Sequence, residues 1–136
     1  MALMDEIINI AKALSDSNRI RILLALRKQE LCVCRIIEIL NLAPSTVSKH
    51  IAVLKNAGLV ESRKEEKWIY YQLPDSAKRS KNIQSALDWI IGSLSADPRI
   101  IQDSEKLLKI LRQSPETICK KRVERKKRQQ KKRGIN

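Results

Sequence analysis

The chain has 136 residues, enough for one domain and a short extension, and its formal net charge is +13. A basic balance of this size favours a polyanionic partner, and nucleic acid, an anionic membrane and the ribosome all meet that description. No apolar run approaches the roughly 20 residues that cross a bilayer, and the N-terminus lacks the charged-then-apolar order of a signal peptide. We therefore expect a cytoplasmic protein without a membrane partner.

The first half of the chain predicts four helices. Apolar residues recur at three- and four-residue steps in the first and fourth of them, and the dense apolar content of the second indicates a core helix. A turn that ends in Pro44 separates the third from the fourth, and Gly58 suits a left-handed cap after the fourth. The predicted helices cover residues 3–14, a segment ending near 27, residues 32–40 and about 45–56.

The hydrophobic period changes after Gly58. Two runs, Leu59–Arg63 and Lys67–Leu73, flank a charged turn and predict a β-hairpin. Residues 76–95 predict another helix with a long apolar stripe that this small domain would leave uncovered, and leucines near residues 107–111 predict a further short helix. The fold class is therefore mainly α with a small β-hairpin, in the element order of a winged helix-turn-helix.

In such a fold, the helix after the turn enters the major groove and the hairpin follows the DNA backbone. Outward hydroxyls and a lysine on the fourth helix can contact phosphates or base edges, and basic residues of the hairpin can neutralise phosphates. On an isolated helix the same residues would be read as a solvated face, but the turn and the hairpin favour DNA. The predicted DNA-binding residues are Ser45, Thr46, Ser48, Lys49, Arg63, Lys64 and Lys67, with His50 as a minor contact.

Three segments resemble the ArsR/SmtB family of bacterial metal-responsive repressors: Glu30–Cys34, Ser45–His50 and Leu54–Val60. The resemblance covers residues 3–95. It implies a homodimer paired through the first and fifth helices, which binds double-stranded operator DNA and releases it on inducer binding. The expected division is a DNA-binding and dimerisation domain over residues 1–98 and a C-terminal helix with a basic tail over residues 99–136.

The cysteines Cys32 and Cys34 lie at the predicted start of the third helix. The chain has three cysteines, an odd number, and we expect it in a reducing compartment. Both facts argue against a structural disulfide framework and favour metal binding or redox sensing. Residues two apart on a regular helix point about 200° from one another, so joint binding of one ion would require local unwinding. The other interpretation is that both are small core residues, as many free cysteines are.

The choice of inducer follows from the resemblance and from the thiol count. Related cadmium and lead sensors add two cysteines from an N-terminal arm, and no cysteine precedes Cys32 here. Arsenic(III) and antimony(III) prefer three thiolates, and arsenic-responsive relatives often place the third cysteine where this chain has Ile37. The remaining candidate is Cys119, from either subunit, so the predicted metal site is Cys32, Cys34 and Cys119. A stray tail cysteine is the alternative for Cys119.

The sequence thus predicts a repressor, not an enzyme, that arsenic(III) or antimony(III) releases from its operator. Two alternatives stay within the same class: a thiol-redox switch at Cys32 and Cys34, or a cadmium- or lead-responsive repressor. A third belongs to another class, an RNA- or ribosome-associated protein whose basic tail dominates binding. Residues 116–136 hold ten Lys and Arg against two Glu, which gives +8 of the total charge of +13.

Overall fold

The computed structural model describes residues 3–119, which form a helical domain with a small antiparallel sheet. In chain order the elements are α1 (Leu3–Ala13), α2 (Ser17–Ala25), β1 (Leu31–Cys32), α3 (Val33–Leu40), α4 (Pro44–Asn56), β2 (Glu61–Glu65), β3 (Trp68–Gln72), a 3-10 turn (Ser76–Lys78), α5 (Lys81–Leu94) and α6 (Pro98–Leu111). Residues 115–119 are again helical. The expected winged helix-turn-helix order is confirmed, whereas most of the basic tail, residues 120–136, lies outside the described residues.

Short polar side chains start several of these helices. The carboxylate of Asp16 accepts hydrogen bonds from the backbone N–H groups of Asn18 and Arg19 at the start of α2. Ser80 caps α5 and Asp97 caps α6 in the same way, each satisfying a donor that the first turn of a helix leaves free. These caps fix where α2, α5 and α6 begin.

Gly58 ends the turn after α4 with a φ of +79°, a conformation that glycine adopts without steric cost. The backbone N–H of Leu59 then donates to the carbonyl oxygen of Leu54 at 3.0 Å, which closes the helix end. The predicted cap is confirmed, and it sets the direction in which the chain leaves α4 toward β2.

The sheet contains three strands in the order β1-β3-β2, with both pairings antiparallel. The predicted hairpin is β2 and β3, in which Glu65 lies opposite Trp68. The third strand was not predicted. Cys32, expected at the start of a helix, instead pairs with Tyr70 in β1 and has an extended backbone, with φ −71° and ψ 155°. The argument that both cysteines occupy one regular helix is therefore wrong.

The core is formed mainly by α2, α3 and α4, with contributions from α5 and α6. Ile22, Leu23 and Leu24 are buried, which confirms α2 as the core helix. The prediction of a short helix near residues 107–111 was wrong about its length. The helix α6 is longer, because it begins at Pro98 and has 14 residues. Its Ile100 and Ile110 join the same apolar cluster as α2, and the domain division at residue 98 stays a prediction.

Apolar surface remains uncovered mainly on α1. Leu3 and Met4 are 73% and 72% exposed, and Ile7 and Ile8 are about half exposed. On α5 the predicted uncovered stripe is largely covered by this chain, since Ile83, Leu87 and Ile90 are buried. The exposed aromatic residue of α5 is Trp89, at 68%. Within residues 3–119, no helix has the length and apolar character needed to cross a membrane.

Candidate DNA interface and thiol site

The helix α4 has one buried face and one free face. Val47, Ile51 and Leu54 are buried in the core at four- and three-residue steps. The opposite face exposes two serines, a threonine and a lysine. Within the described part of the chain, this lysine makes no ion pair. These exposed residues are the predicted Ser45, Thr46, Ser48 and Lys49.

His50 lies on the inner side of α4 and is half-buried. Its Nδ1 is 3.3 Å from Nη1 of Arg19, whose Nε donates to the carbonyl oxygen of Ala13 at 2.9 Å. A guanidinium can only donate, so Nδ1 must accept and the ring proton belongs on Nε2. In this position His50 ties α4 to the junction between α1 and α2, and its predicted DNA contact stays a minor one.

The predicted wing cation Arg63 is held by acidic neighbours. Its Nε lies 2.7 Å from Glu30, its Nη2 also contacts Glu30, and its Nη1 lies 2.9 Å from Glu65. The guanidinium also stacks over the ring of Tyr70, 4.6 Å from its centroid. The hydrogen bond from Arg63 lowers the pKa of Glu30, and in return the carboxylates of Glu30 and Glu65 raise the pKa of Arg63. Arg63 is therefore less available to a phosphate than its position implies.

The other two wing cations differ from each other. Lys67 Nζ is 3.7 Å from Oε1 of Glu116 and 5.1 Å from the ring centroid of Trp68. Lys64 is exposed on β2, and within residues 3–119 its side chain has no ion pair. Among the lysines predicted to bind DNA, Lys64 on β2 and Lys49 on α4 are thus exposed and make no ion pair within the described residues.

The predicted thiol ligands separate into a pair and a single residue. Cys34, in the first turn of α3, is disulfide-bonded to Cys119, 85 residues away, with the two Cα atoms 5.6 Å apart. Cys32 is a free thiol and completely buried, at 0% exposure. Across residues 3–119 no group of three or more His, Cys, Asp and Glu is arranged to hold a metal ion. The structure therefore brings together two of the three predicted ligands, within one chain.

The C-terminal arm, residues 112–119, carries Cys119 to its partner. It leaves the end of α6, where the carbonyl oxygen of Gln113 accepts a hydrogen bond from Nη2 of Arg35 at 2.9 Å. Ile118 is buried in the core beside Cys119, and Glu116 reaches the wing through Lys67. The arm thus contacts both α3 and the hairpin, the two elements that flank α4 in sequence.

Several residues of this site were missed by sequence reasoning. Glu30 pairs with Arg63, Glu116 pairs with Lys67, and Arg35 donates a hydrogen bond to the C-terminal arm. In the sequence, these three residues look like ordinary surface charges. Their partners lie 33, 49 and 78 residues away, and no local period in the sequence marks such a pairing. The one available signal was the presence of Cys119 at the end of the arm.

A three-helix core, a tight turn before an exposed polar helix and a β-hairpin define a winged helix-turn-helix of the DNA-binding class. Residues 16–62 match the model of the bacterial regulatory protein arsR family. Over 80 residues the chain is 40% identical to an uncharacterized HTH-type transcriptional regulator of Methanocaldococcus jannaschii, which covers 58% of this chain and 88% of that protein. The protein belongs to the ArsR family of transcriptional regulators.

Relatives with assigned roles share a shorter segment. The chain is 41% identical over 71 residues to a cadmium resistance regulatory protein, CadC homolog, of Staphylococcus aureus, which covers 52% of this chain and 59% of that protein. It is 40% identical over 65 residues to an arsenic resistance regulator of Pseudomonas putida, covering 47% and 51% of the two chains. The matches thus span somewhat more than half the length of these two relatives.

A solved structure agrees with the fold. The homodimeric winged helix-turn-helix DNA-binding domain of Mycobacterium bovis, described as a possible ArsR-family regulator, superimposes with a TM-score of 0.57 and 27% identity. The match covers 70% of this chain and 82% of that domain. It supports both the winged fold and the assignment to DNA-binding regulators.

Proposed function

We propose that this protein is a repressor that arsenic(III) or antimony(III) releases from double-stranded operator DNA by binding to cysteine thiolates. The observation that carries the proposal is the contact between Cys34 and Cys119, because nothing in the local sequence requires residues 85 apart to meet. Soft thiolates select thiophilic ions, and reduction of this disulfide would leave two of them close together at the start of α3. Cys32 is the candidate for a third ligand, from a position two residues before Cys34.

The proposed DNA-binding form is a homodimer on an inverted repeat. The exposed apolar residues of α1 and Trp89 of α5 provide a surface that a second copy would cover, and the homodimeric Mycobacterium bovis domain supports that arrangement. Two recognition helices related by a two-fold axis would read half-sites about one DNA turn apart. A regulator of this kind would act in the cytoplasm, where its operator is found.

The proposed transmission runs through the arm. A metalloid that bridges Cys34 and Cys119 after reduction of their disulfide would hold the arm against α3 and keep Glu116 beside Lys67. Glu116 then competes with DNA phosphates for a wing cation, while α3 shifts with the thiolate that it carries. The coupling needed is modest, since about 1–3 kcal/mol changes affinity by roughly 5- to 150-fold.

A gel-shift titration on operator DNA, with the protein reduced, tests the proposal. We expect the Cys34→Ser and Cys119→Ser variants to bind the operator as the unmodified protein does and to lose release by arsenite or antimonite. Thr117→Ser, on the same turn as Cys119, is the matched control and should release normally. Release that persists in both cysteine variants would contradict the assignment.

A second candidate function is a thiol-redox repressor, which the Cys34–Cys119 disulfide favours over the predicted pairing of Cys32 with Cys34. The two thiols would lose two protons and two electrons to one molecule of hydrogen peroxide, which becomes two molecules of water. Peroxide alone would then release the operator, and dithiothreitol would restore binding. Release by metalloid in an anaerobic, fully reduced sample would favour the first function.

A further inference from the structure

A cavity of about 130 Å³ lies between α2 and α6, and neither a cysteine nor a predicted DNA-binding residue lines it. Most of its wall is apolar, and the polar part includes two cations. We infer that the cavity is a binding site for a small aromatic carboxylate, a ligand separate from the thiol ligand of the proposed function. The apolar lining residues are Leu24, Ala25, Ile100, Leu107, Leu108 and Leu111.

The apolar part of the cavity has room for one aromatic ring. In another protein, an apolar cavity of roughly 150 Å³ lined by similar side chains takes up benzene. Here Leu24 is buried, at 1% exposure, whereas Leu108 is 65% exposed at the edge of the same cavity. A ring between them would contact the core and cover part of Leu108, which removes apolar surface from water.

The polar part of the cavity carries positive charge without a carboxylate partner. Nη1 of Arg27 donates to the carbonyl oxygen of Leu24 at 2.8 Å, and Nη2 donates to Oγ of Ser104 at 3.1 Å. Both acceptors are neutral, and a guanidinium has more N–H donors than these two contacts use. Lys28 is exposed, and within residues 3–119 neither Arg27 nor Lys28 forms an ion pair. A carboxylate beside them would accept charge-assisted hydrogen bonds.

The acidic residue of the lining, Asp103, does not oppose an anion. Both of its carboxylate oxygens accept hydrogen bonds from Arg21, at 2.8 and 2.9 Å, so the pair adds no net charge to the wall. The basic residues 120–136 of the chain itself have the same sign of charge as Arg27 and Lys28. A small anion therefore suits the polar part better than the chain's own tail does.

The cavity walls are fixed by contacts between helices. The Arg21–Asp103 pair joins α2 to α6, and Nζ of Lys106 on α6 donates to the carbonyl oxygen of Ile39 on α3 at 3.1 Å. These contacts hold α6 against its neighbours without filling the cavity. A ligand would therefore enter a largely preformed site and lose little free energy to rearrangement.

The experiment follows 4-fluorobenzoate by ¹⁹F NMR as the full-length chain is added. We expect it to bind at least about tenfold more tightly than fluorobenzene, which has the ring without the anion, because a charged acceptor strengthens the hydrogen bonds. Trifluoroacetate, an anion without a ring, measures association with the basic tail and should bind at least about tenfold more weakly than 4-fluorobenzoate. Nuclear Overhauser effects from the ring protons to the methyl groups of Leu24, Leu107 and Leu111 should locate the ligand.

Three variants test the two parts of the site. Ala25→Leu fills the cavity and keeps both cations, so it should weaken 4-fluorobenzoate binding at least about tenfold. Lys28→Gln removes an exposed cation of the lining and should weaken binding about threefold. Lys109→Gln removes an exposed cation of α6 outside the lining and is the matched control. It should bind within about twofold of the unmodified protein, because solvent and salt screen a distant charge.

Three results would overturn the inference. Fluorobenzene binding as tight as that of 4-fluorobenzoate would show that the carboxylate is not recognised. Binding that survives Ala25→Leu would place the ligand elsewhere, and so would the absence of Overhauser effects to the three leucines, a measurement that needs no variant. None of these results bears on the proposed function, because the cavity lining contains no cysteine and no predicted DNA contact.

Discussion

The guanidinium of Arg21 on α2 donates to both carboxylate oxygens of Asp103 on α6, at 2.8 and 2.9 Å. Both side chains are largely buried, and the carboxylate raises the pKa of Arg21. The pair attaches α6 to the core helix, and it lies beside a cavity of about 130 Å³ between α2 and α6. The start of the C-terminal arm depends on where this pair holds α6.

Removing one partner should therefore weaken the whole fold. We expect Asp103→Ala to lower the free energy of unfolding by about 3 kcal/mol, because it leaves the Arg21 charge buried without its partner. Urea unfolding followed by circular dichroism measures the effect. Glu105→Ala, an exposed carboxylate on the same helix, is the matched control and should change stability by less than about 0.5 kcal/mol. Equal losses in the two variants would contradict the role of the pair.

The burial of Cys32 predicts unequal thiol reactivity. In the reduced native protein, iodoacetamide should modify Cys34 and Cys119 within minutes and leave Cys32 unmodified until the chain unfolds. Mass spectrometry of peptides after timed labelling measures the three rates. Labelling of Cys32 as fast as Cys34 would show that β1 opens readily and would contradict the protection expected from burial.

The cations of the hairpin and of α4 should contribute unequally to DNA binding, because some are free and one is already paired with carboxylates. Lys64→Ala and Lys49→Ala should weaken operator binding and each reduce the slope of log affinity against log salt concentration by about 1, as expected for a lost phosphate contact. Arg63→Ala should have a smaller effect, because Glu30 and Glu65 already hold that guanidinium. Fluorescence anisotropy with labelled operator, from low to moderate salt, provides the comparison.

Lys78, exposed in the 3-10 turn after β3 and outside the predicted DNA-binding residues, is the control for general charge loss. The Lys78→Ala variant should bind the operator with an affinity within about twofold of that of the unmodified protein. If Arg63→Ala were the most damaging of the four substitutions, the carboxylates around Arg63 would have to release it on DNA binding.

The cap of α2 predicts a pH dependence of stability. Burial alone would raise the pKa of Asp16, but hydrogen bonds from the backbone N–H groups of Asn18 and Arg19, together with nearby positive charge, outweigh it and lower the pKa below 3.8. A carboxylate whose pKa falls on folding stabilises the protein above its unfolded pKa, and that contribution is lost as the pH falls through the folded value.

We expect Asp16→Ala to lower the free energy of unfolding by about 1 kcal/mol at neutral pH, the usual effect of losing a helix cap. The difference from the unmodified protein should shrink as the pH falls below about 4, where the unfolded state takes up the proton first and the folded state follows at lower pH. Thermal unfolding at a series of pH values measures it. Asp16→Asn keeps a capping oxygen without the titration and should show a smaller loss that varies less with pH.

The exposed face of α1 predicts association. If a second copy covers this surface, Ile7→Glu should convert a dimer to a monomer in sedimentation velocity, since it places a charge among Leu3, Met4 and Ile8. Trp89 should report the same change through a red-shifted emission if α5 shares the interface. The control Asp5→Lys changes the charge of an exposed α1 residue outside the apolar set. A dimer that survives Ile7→Glu would place the interface elsewhere.

The predictable part of this structure was the part with a local period. Apolar steps and the Gly58 cap were enough to predict α1, α4 and the hairpin, and the polar face of α4 is the basis on which it is predicted to be the recognition helix. The strand β1 was missed because two residues carry no period and their partners in β3 lie 38 residues away, as in Cys32 and Tyr70. Cys32 was consequently assigned to the helix.

The helix α6 was underestimated for a related reason. Asp97 and Pro98 are ordinary start signals, but the polar residues of its first half, including the buried Asp103, conceal the apolar face. What makes Asp103 a core residue is Arg21, 82 positions earlier, and only the fold places them together. The same limit applies to Glu30 with Arg63 and to Glu116 with Lys67.

The two-residue strand β1 connects the wing directly to the segment that carries the proposed thiol site. Because β3 is hydrogen-bonded on one side to β1 and on the other to β2, a pull on the segment before α3 reaches the hairpin through backbone bonds rather than through mobile side chains. Under the proposed function, a ligand at Cys34 would move the hairpin as well as the helix α3 that leads to α4. A change in the cysteine residues would then alter which ligand is bound without changing the residues that contact DNA.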